Sequence, residues 1–141
     1  MLDLDRMPDP DGRYRVNQFY CRGDSWQMTV RQLVRETSAV LMDLRGFSTQ
    51  NQGCVYELGQ ILNSSDLRQA LFVVDSTTNR EFLGEVLRQL WAALSHDSPN
   101  YSSIEPSVRL FFIRTQNGGE LRSLLRALWA ACLAPRASYG C

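Results

Sequence analysis

One carboxylate in this chain, Glu57, has the placement that chemistry at a glycosidic bond would need. It falls about one turn into an apolar helical pattern, between Cys54, Val55 and Leu58, just after a polar loop. A carboxylate there gains from the helix dipole. At the rim of a sheet it could stabilise an oxocarbenium-like centre or hydrogen-bond a ribose hydroxyl. The same residue also reads as a solvated helix carboxylate paired with a nearby arginine, and the sequence leaves both readings open. Other chemistries fall away. All fifteen basic residues are arginine, which removes Schiff-base catalysis, a P-loop lysine and a lysine general base. The only histidine, His96, stands in the polar stretch Ser95–Asn100. That argues against a Ser-His-Asp or Cys-His device and excludes a multi-histidine metal site.

The other candidate site residues sit in loops that follow apolar, strand-like runs. They are Asp24 after the first run, Asp43, Arg45, Gly46 and Ser48 after the second, and Asp75 and Thr77 after the third. In an open parallel sheet such loops gather at the strands' carboxyl ends, where ligands bind. Helix N-termini opening from these loops suit phosphate or another anion. Every α/β protein also needs capped, polar loops there. Asp43 ends a buried run, where an unpaired carboxylate is costly, so it should have a partner such as Arg45. No G-x-G-x-x-G follows a strand and no Walker sequence is present, which disfavours a dinucleotide-binding dehydrogenase or a P-loop enzyme.

The elements that must position these residues alternate along the chain. Arg13–Cys21 reads as a first strand. A helix follows from Asp24 or Ser25 to about Thr37, with the stripe Trp26, Val30, Leu33, Val34 and Thr37. Ala39–Leu44 is a nearly continuous apolar run, the pattern of a strand buried on both faces. Cys54, Val55, Leu58, Ile61 and Leu62 form the inner face of a second helix, and Ala70–Val74 is a third strand. A helix over Arg80–Leu94 packs Leu83, Val86, Leu87, Leu90, Trp91 and Leu94. A polar insertion, Ser95–Pro106, leads to a strand at Ser107–Ile113. The last helix rests on Leu121, Leu124, Leu125, Leu128 and Cys132, and stops before Pro135. Trp91 and Trp129 are expected in the core. The expectation is an α/β fold with a mainly parallel sheet of four or five strands flanked by helices.

The whole has the size of one domain: 141 residues, 44% hydrophobic and 21% charged. Residues 1–12, rich in Asp and Pro, read as a linker, 13–134 as the domain and 135–141 as a tail. Fifteen acidic residues cancel the fifteen arginines, so no long-range field draws the chain to nucleic acid or to an anionic membrane. Cys21, Cys54, Cys132 and Cys141 show no C-x-x-C spacing and fit reduced, mostly buried thiols in a cytoplasmic chain. No window reaches the ~18 apolar residues that a membrane-spanning helix needs.

From Trp26 to Leu62 the chain resembles the middle of a TIR domain. In that family an amphipathic helix leads into a buried strand, a polar loop and a helix opening on "WC..EL". Ser38-Ala39-Val40-Leu41-Met42 matches the strand entry, and Gly53-Cys54-Val55-Tyr56-Glu57-Leu58 matches the helix start, with Gly53 where the family often has Trp. The same strand, loop and Glu-bearing helix recur in nucleoside 2-deoxyribosyltransferases, another flavodoxin-like group. The resemblance extends loosely over Arg13–Leu133. It implies that Glu57 is the counterpart of the glutamate that helps cleave the nicotinamide–ribose bond in enzymatic TIR domains, and of the nucleophile in the transferases. It implies NAD or a nucleoside as ligand or substrate, with no cofactor required. The family's opening strand and helix, which supply part of its nucleotide pocket, have no counterpart in residues 1–12: either they lie upstream in a longer parent chain, or the sheet is a reduced one.

The leading expectation is therefore a TIR-like cytoplasmic signalling domain that binds or cleaves NAD or a related nucleotide. The alternative is a non-catalytic interaction or regulatory domain of a larger, membrane-attached protein, associating with itself or with another protein domain.

Overall fold

The computed structural model describes residues 25–104, 107–115 and 117–135. The elements run α1 (Ser25–Glu36), β1 (Val40–Asp43), α2 (Gln52–Ser64), β2 (Ala70–Val74), α3 (Arg80–Ala92), β3 (Leu110–Phe112) and α4 (Gly118–Leu133), with one 3-10 turn at Leu67–Gln69 before β2. The expected first strand over residues 13–21, Asp24 and the two terminal segments lie outside the described residues, Pro135 apart.

The strands form a parallel sheet in the order β1-β2-β3. Val40 stands beside Ala70 and Asp43 beside Val73, while Phe72 stands beside Leu110 and Val74 beside Phe112. β2 reads Ala-Leu-Phe-Val-Val and is buried at every position, as a central parallel strand must be when both faces are covered. Successive side chains alternate between faces. Ala70, Phe72 and Val74 join Val34 of α1, Leu58, Ile61 and Leu62 of α2, and Leu83 and Val86 of α3 in one core. On the other face β2 meets α4, where Ala131 is buried. The inner faces read from the sequence for α2 and α3 all take part in or pack on that core.

Of the expected strands, the one at 70–74 is present, those at 39–44 and 107–113 are present in shorter form, and the one at 13–21 lies outside the described residues. Two expectations need correction. β1 is not covered on both faces, because α4 lies over β2 and leaves Leu41 and Asp43 exposed. α4 turns Leu124, Ala127, Leu128 and Ala131 toward the sheet, whereas Leu121, Leu125, Trp129 and Cys132 are exposed. One helix packed on a sheet buries only the stripe that faces it, too narrow for every leucine of α4.

Candidate functional site

The loops after β1 and β2 are stitched together at the sheet's carboxyl end. The Thr78 hydroxyl donates to the Leu44 carbonyl at 2.9 Å and accepts the Asp75 N–H at 3.1 Å. The Gly46 N–H donates to the Thr77 hydroxyl oxygen at 2.8 Å, and the Thr77 hydroxyl donates to Asp75 at 2.5 Å. Gly46 has φ of 72°, a left-handed conformation that glycine adopts without strain.

Asp43 has the partner its position demanded. Arg45 grips its carboxylate through Nε and Nη2, at 2.9 Å and 2.6 Å, and its own backbone N–H adds a third contact. Both side chains are exposed, however, on the face of β1 away from the core. The hydrogen bond from Arg45 holds the Asp43 carboxyl below the usual aspartate range, and the Thr77 hydroxyl does the same for Asp75.

Arg45 also borders a hollow of about 340 Å³ beside the start of α4, with Ile113, Asn117, Gly118, Glu120, Leu121 and Leu124. Asn117 caps α4 by accepting the Glu120 N–H, and the Glu120 carboxylate takes the N–H groups of Arg114 and Thr115. Asp43, Asp75 and Glu120 place three carboxylates at this end of the sheet. A phosphate here would meet Arg45 already paired with Asp43 and the Glu120 N–H already capped by Asn117, which weakens the hollow as an anion cradle.

Glu57 stands apart from that cluster. It lies on α2 one turn before Gln60, whose side-chain oxygen accepts from Arg31 Nε of α1 at 3.3 Å, so Glu57 shares the flank of α2 that faces α1. It is half-buried, and burial pushes its carboxyl above the usual glutamate range and contributes to raising the neighbouring Cys54 thiol. No hydrogen bond or ion pair to Glu57 is found among the described residues. Ser48 belongs to neither group: its N–H and hydroxyl both donate to Asn51 Oδ1, which leaves α2 without a side-chain N-cap.

The structure therefore gathers Asp43, Arg45, Gly46, Asp75 and Thr77 and separates them from Glu57. Among the described residues no group of three or more His, Cys, Asp or Glu could hold a metal ion. What sequence reasoning missed is the apolar flank of α4, where Leu121 is 57%, Leu125 55%, Trp129 68% and Leu133 68% exposed. The four-residue spacing was legible, but it was read as the buried side. Comparisons with protein-family models, with curated proteins and with solved structures find no match for this chain.

Proposed function

We propose that this domain is a TIR-like interaction module of a signalling protein that pairs with a second copy of itself through α4. The observation that carries this reading is the row Leu121, Leu125, Trp129 and Leu133, each more than half exposed along one side of a single helix. Such a continuous apolar row in a folded domain marks an interaction surface. The row suits its own copy. About a two-fold axis at Ala127, Leu121 faces the partner's Leu133 and Leu125 faces its Trp129, as an isologous interface requires. Arg122 then falls opposite the partner's Cys132 rather than another arginine. A formal net charge of zero adds no repulsion between copies.

Sedimentation or light scattering across a concentration series tests it. The expected result is a monomer–dimer equilibrium that Leu125→Glu or Trp129→Glu shifts to monomer without loss of helix content. A chain that stays monomeric while binding vesicles of anionic lipid would overturn the reading and make α4 a membrane-surface helix.

A second reading rests on one observation, the half-buried Glu57 carboxylate on the helix that resembles the family's. In it the domain binds NAD or a nucleoside beside α2, with Glu57 against the ribose. A ligand at a hundredfold excess over Kd stabilises the native state by about 2.7 kcal/mol. The reading stands if NAD raises the melting temperature and Glu57→Gln abolishes slow glycosidic cleavage. It fails if millimolar nucleotide leaves melting unchanged.

A further inference from the structure

The other side of the sheet carries a groove unrelated to α4. β3 is an edge strand: among the described residues it pairs with β2 alone. Its Arg109 carbonyl accepts from Phe72 N–H at 3.0 Å, and its Ile113 N–H donates to the Val74 carbonyl at 2.9 Å. In a parallel ladder alternate residues bond to opposite neighbours. Leu110 and Phe112 therefore turn their N–H and C=O groups outward.

One flank of α3 overhangs that edge. The Arg80 guanidinium lies 4.7 Å from the centre of the Phe112 ring. Further along, Leu87, Arg88, Trp91 and Ala92 line a hollow of about 300 Å³ with Val108. Gly84 falls between them at four-residue spacing, and a Cβ placed there would meet nothing within 4 Å. Glycine weakens a helix interior, and no contact among the described residues requires it here. Its effect is to leave a low point in the flank. Leu110, on the same face of β3, is 49% exposed.

We propose that the groove between the outer edge of β3 and the Arg80–Gly84–Arg88 flank of α3 takes an extended acidic peptide of a partner protein as a fourth strand. The outward backbone groups of Leu110 and Phe112 supply the ladder, which is how strand addition gains affinity. Specificity comes from the flank. An aliphatic or aromatic side chain enters the hollow at Leu87, Trp91 and Val108. Acidic side chains further along the same face of the peptide meet Arg80, Arg88 and Arg114. Those three arginines make no ion pair among the described residues, and the Arg114 guanidinium is 5.9 Å from the centre of the Phe112 ring. The acidic residues of α3, Glu81 and Glu85, are exposed.

The site lies across the sheet from α4, so its failure and the failure of self-association are distinguishable. The probe is a fluorescently labelled heptapeptide with leucine at position 1, glutamate at positions 3, 5 and 7 and threonine between them, so that anchor and acids share one face, titrated by anisotropy into the full chain. Controls are the lysine-for-glutamate peptide, the same peptide N-methylated at alternate residues in each register, and an oligothymidylate. The expected result is saturable binding by the glutamate peptide, lost with lysine and weakened at least tenfold by N-methylation in one register only. Gly84→Leu, which fills the low point with a better helix former, should weaken binding at least tenfold without lowering the melting temperature. Arg88→Glu should do the same and restore binding to the lysine peptide. Equal binding of the N-methylated peptides, or of the Gly84→Leu variant, would overturn the proposal. So would tighter binding of the oligothymidylate that ignores Gly84→Leu, which would make this edge a simple polyanion surface.

Discussion

The Asn100 side-chain amide donates to the Leu62 carbonyl at 2.7 Å, joining residues 38 apart in the chain. The same amide donates to the Ser65 carbonyl at 2.7 Å, and its oxygen accepts the Leu67 N–H at 3.1 Å. The Ser98 hydroxyl adds a second bond to the Leu62 carbonyl at 2.8 Å. Helices end with unpaired carbonyls that need partners when buried. The segment after α3 supplies them for α2, and both Ser98 and Asn100 are buried.

Asn100→Ala should therefore behave as a core mutation although it falls in a polar loop. It leaves the Ser65 carbonyl and the Leu67 N–H unsatisfied, while the Leu62 carbonyl keeps the Ser98 hydroxyl, and each unsatisfied group costs about 1–3 kcal/mol. A total loss of roughly 2–4 kcal/mol is expected in chemical denaturation, because the groups share one site and do not add fully. A loss below about 0.5 kcal/mol would show that water replaces the amide.

Thr78→Val makes a comparable case at the other end of the sheet. Valine keeps the shape of the buried threonine but leaves the Asp75 N–H without its partner and the Leu44 carbonyl with the Phe47 N–H as its remaining donor. Denaturation should report a loss of about 1–3 kcal/mol, and Thr78→Ser should recover most of it. A serine variant as unstable as the valine one would mean that the methyl group, not the hydroxyl, matters here.

These two residues also show where reading the sequence stops. The inner faces of α2 and α3 and the buried strand β2 were legible, because apolar spacing alone decides which side of a helix or strand avoids water. The Arg45 partner of Asp43 was legible as well, from the cost of an unpaired carboxylate. Asn100, Ser98 and Thr78 were not, since a polar residue in a loop carries no sign of a carbonyl more than thirty positions away. α4 misled for a different reason. Its leucines and Trp129 surround most of the helix, and which of them meet the sheet depends on how α4 rests on β2. Glu57 is the open case: its position on α2 followed from spacing, but whether a ligand lies beside it did not.

Two glycines should respond with opposite signs. Gly46 sits at φ of 72°, so Gly46→Ala forces a left-handed conformation that costs an L-residue about 1–2 kcal/mol. Gly84 lies inside α3 with open space around its missing Cβ, so Gly84→Ala should stabilise by roughly 0.5–1 kcal/mol. Melting temperatures measured in parallel test both. A destabilising Gly84→Ala would reveal a close contact at that flank.

Glu57 should give the domain a pH dependence of definite sign. Burial raises its carboxyl pKa in the folded state, so the folded chain holds that proton more tightly than the unfolded one. The associated stability is complete below the unfolded glutamate pKa and is lost as pH rises through the folded value. Asp43 and Asp75 act in the opposite direction: their carboxyls are lowered by Arg45 and Thr77, and the stability they add disappears as pH falls. Comparing wild type with Glu57→Gln cancels the aspartate contributions. The variant should match the wild type near about pH 4 and become the more stable of the two toward about pH 7. If it is instead less stable at neutral pH, the carboxylate is held by a favourable charge partner, and the picture of a desolvated, unpaired Glu57 is wrong.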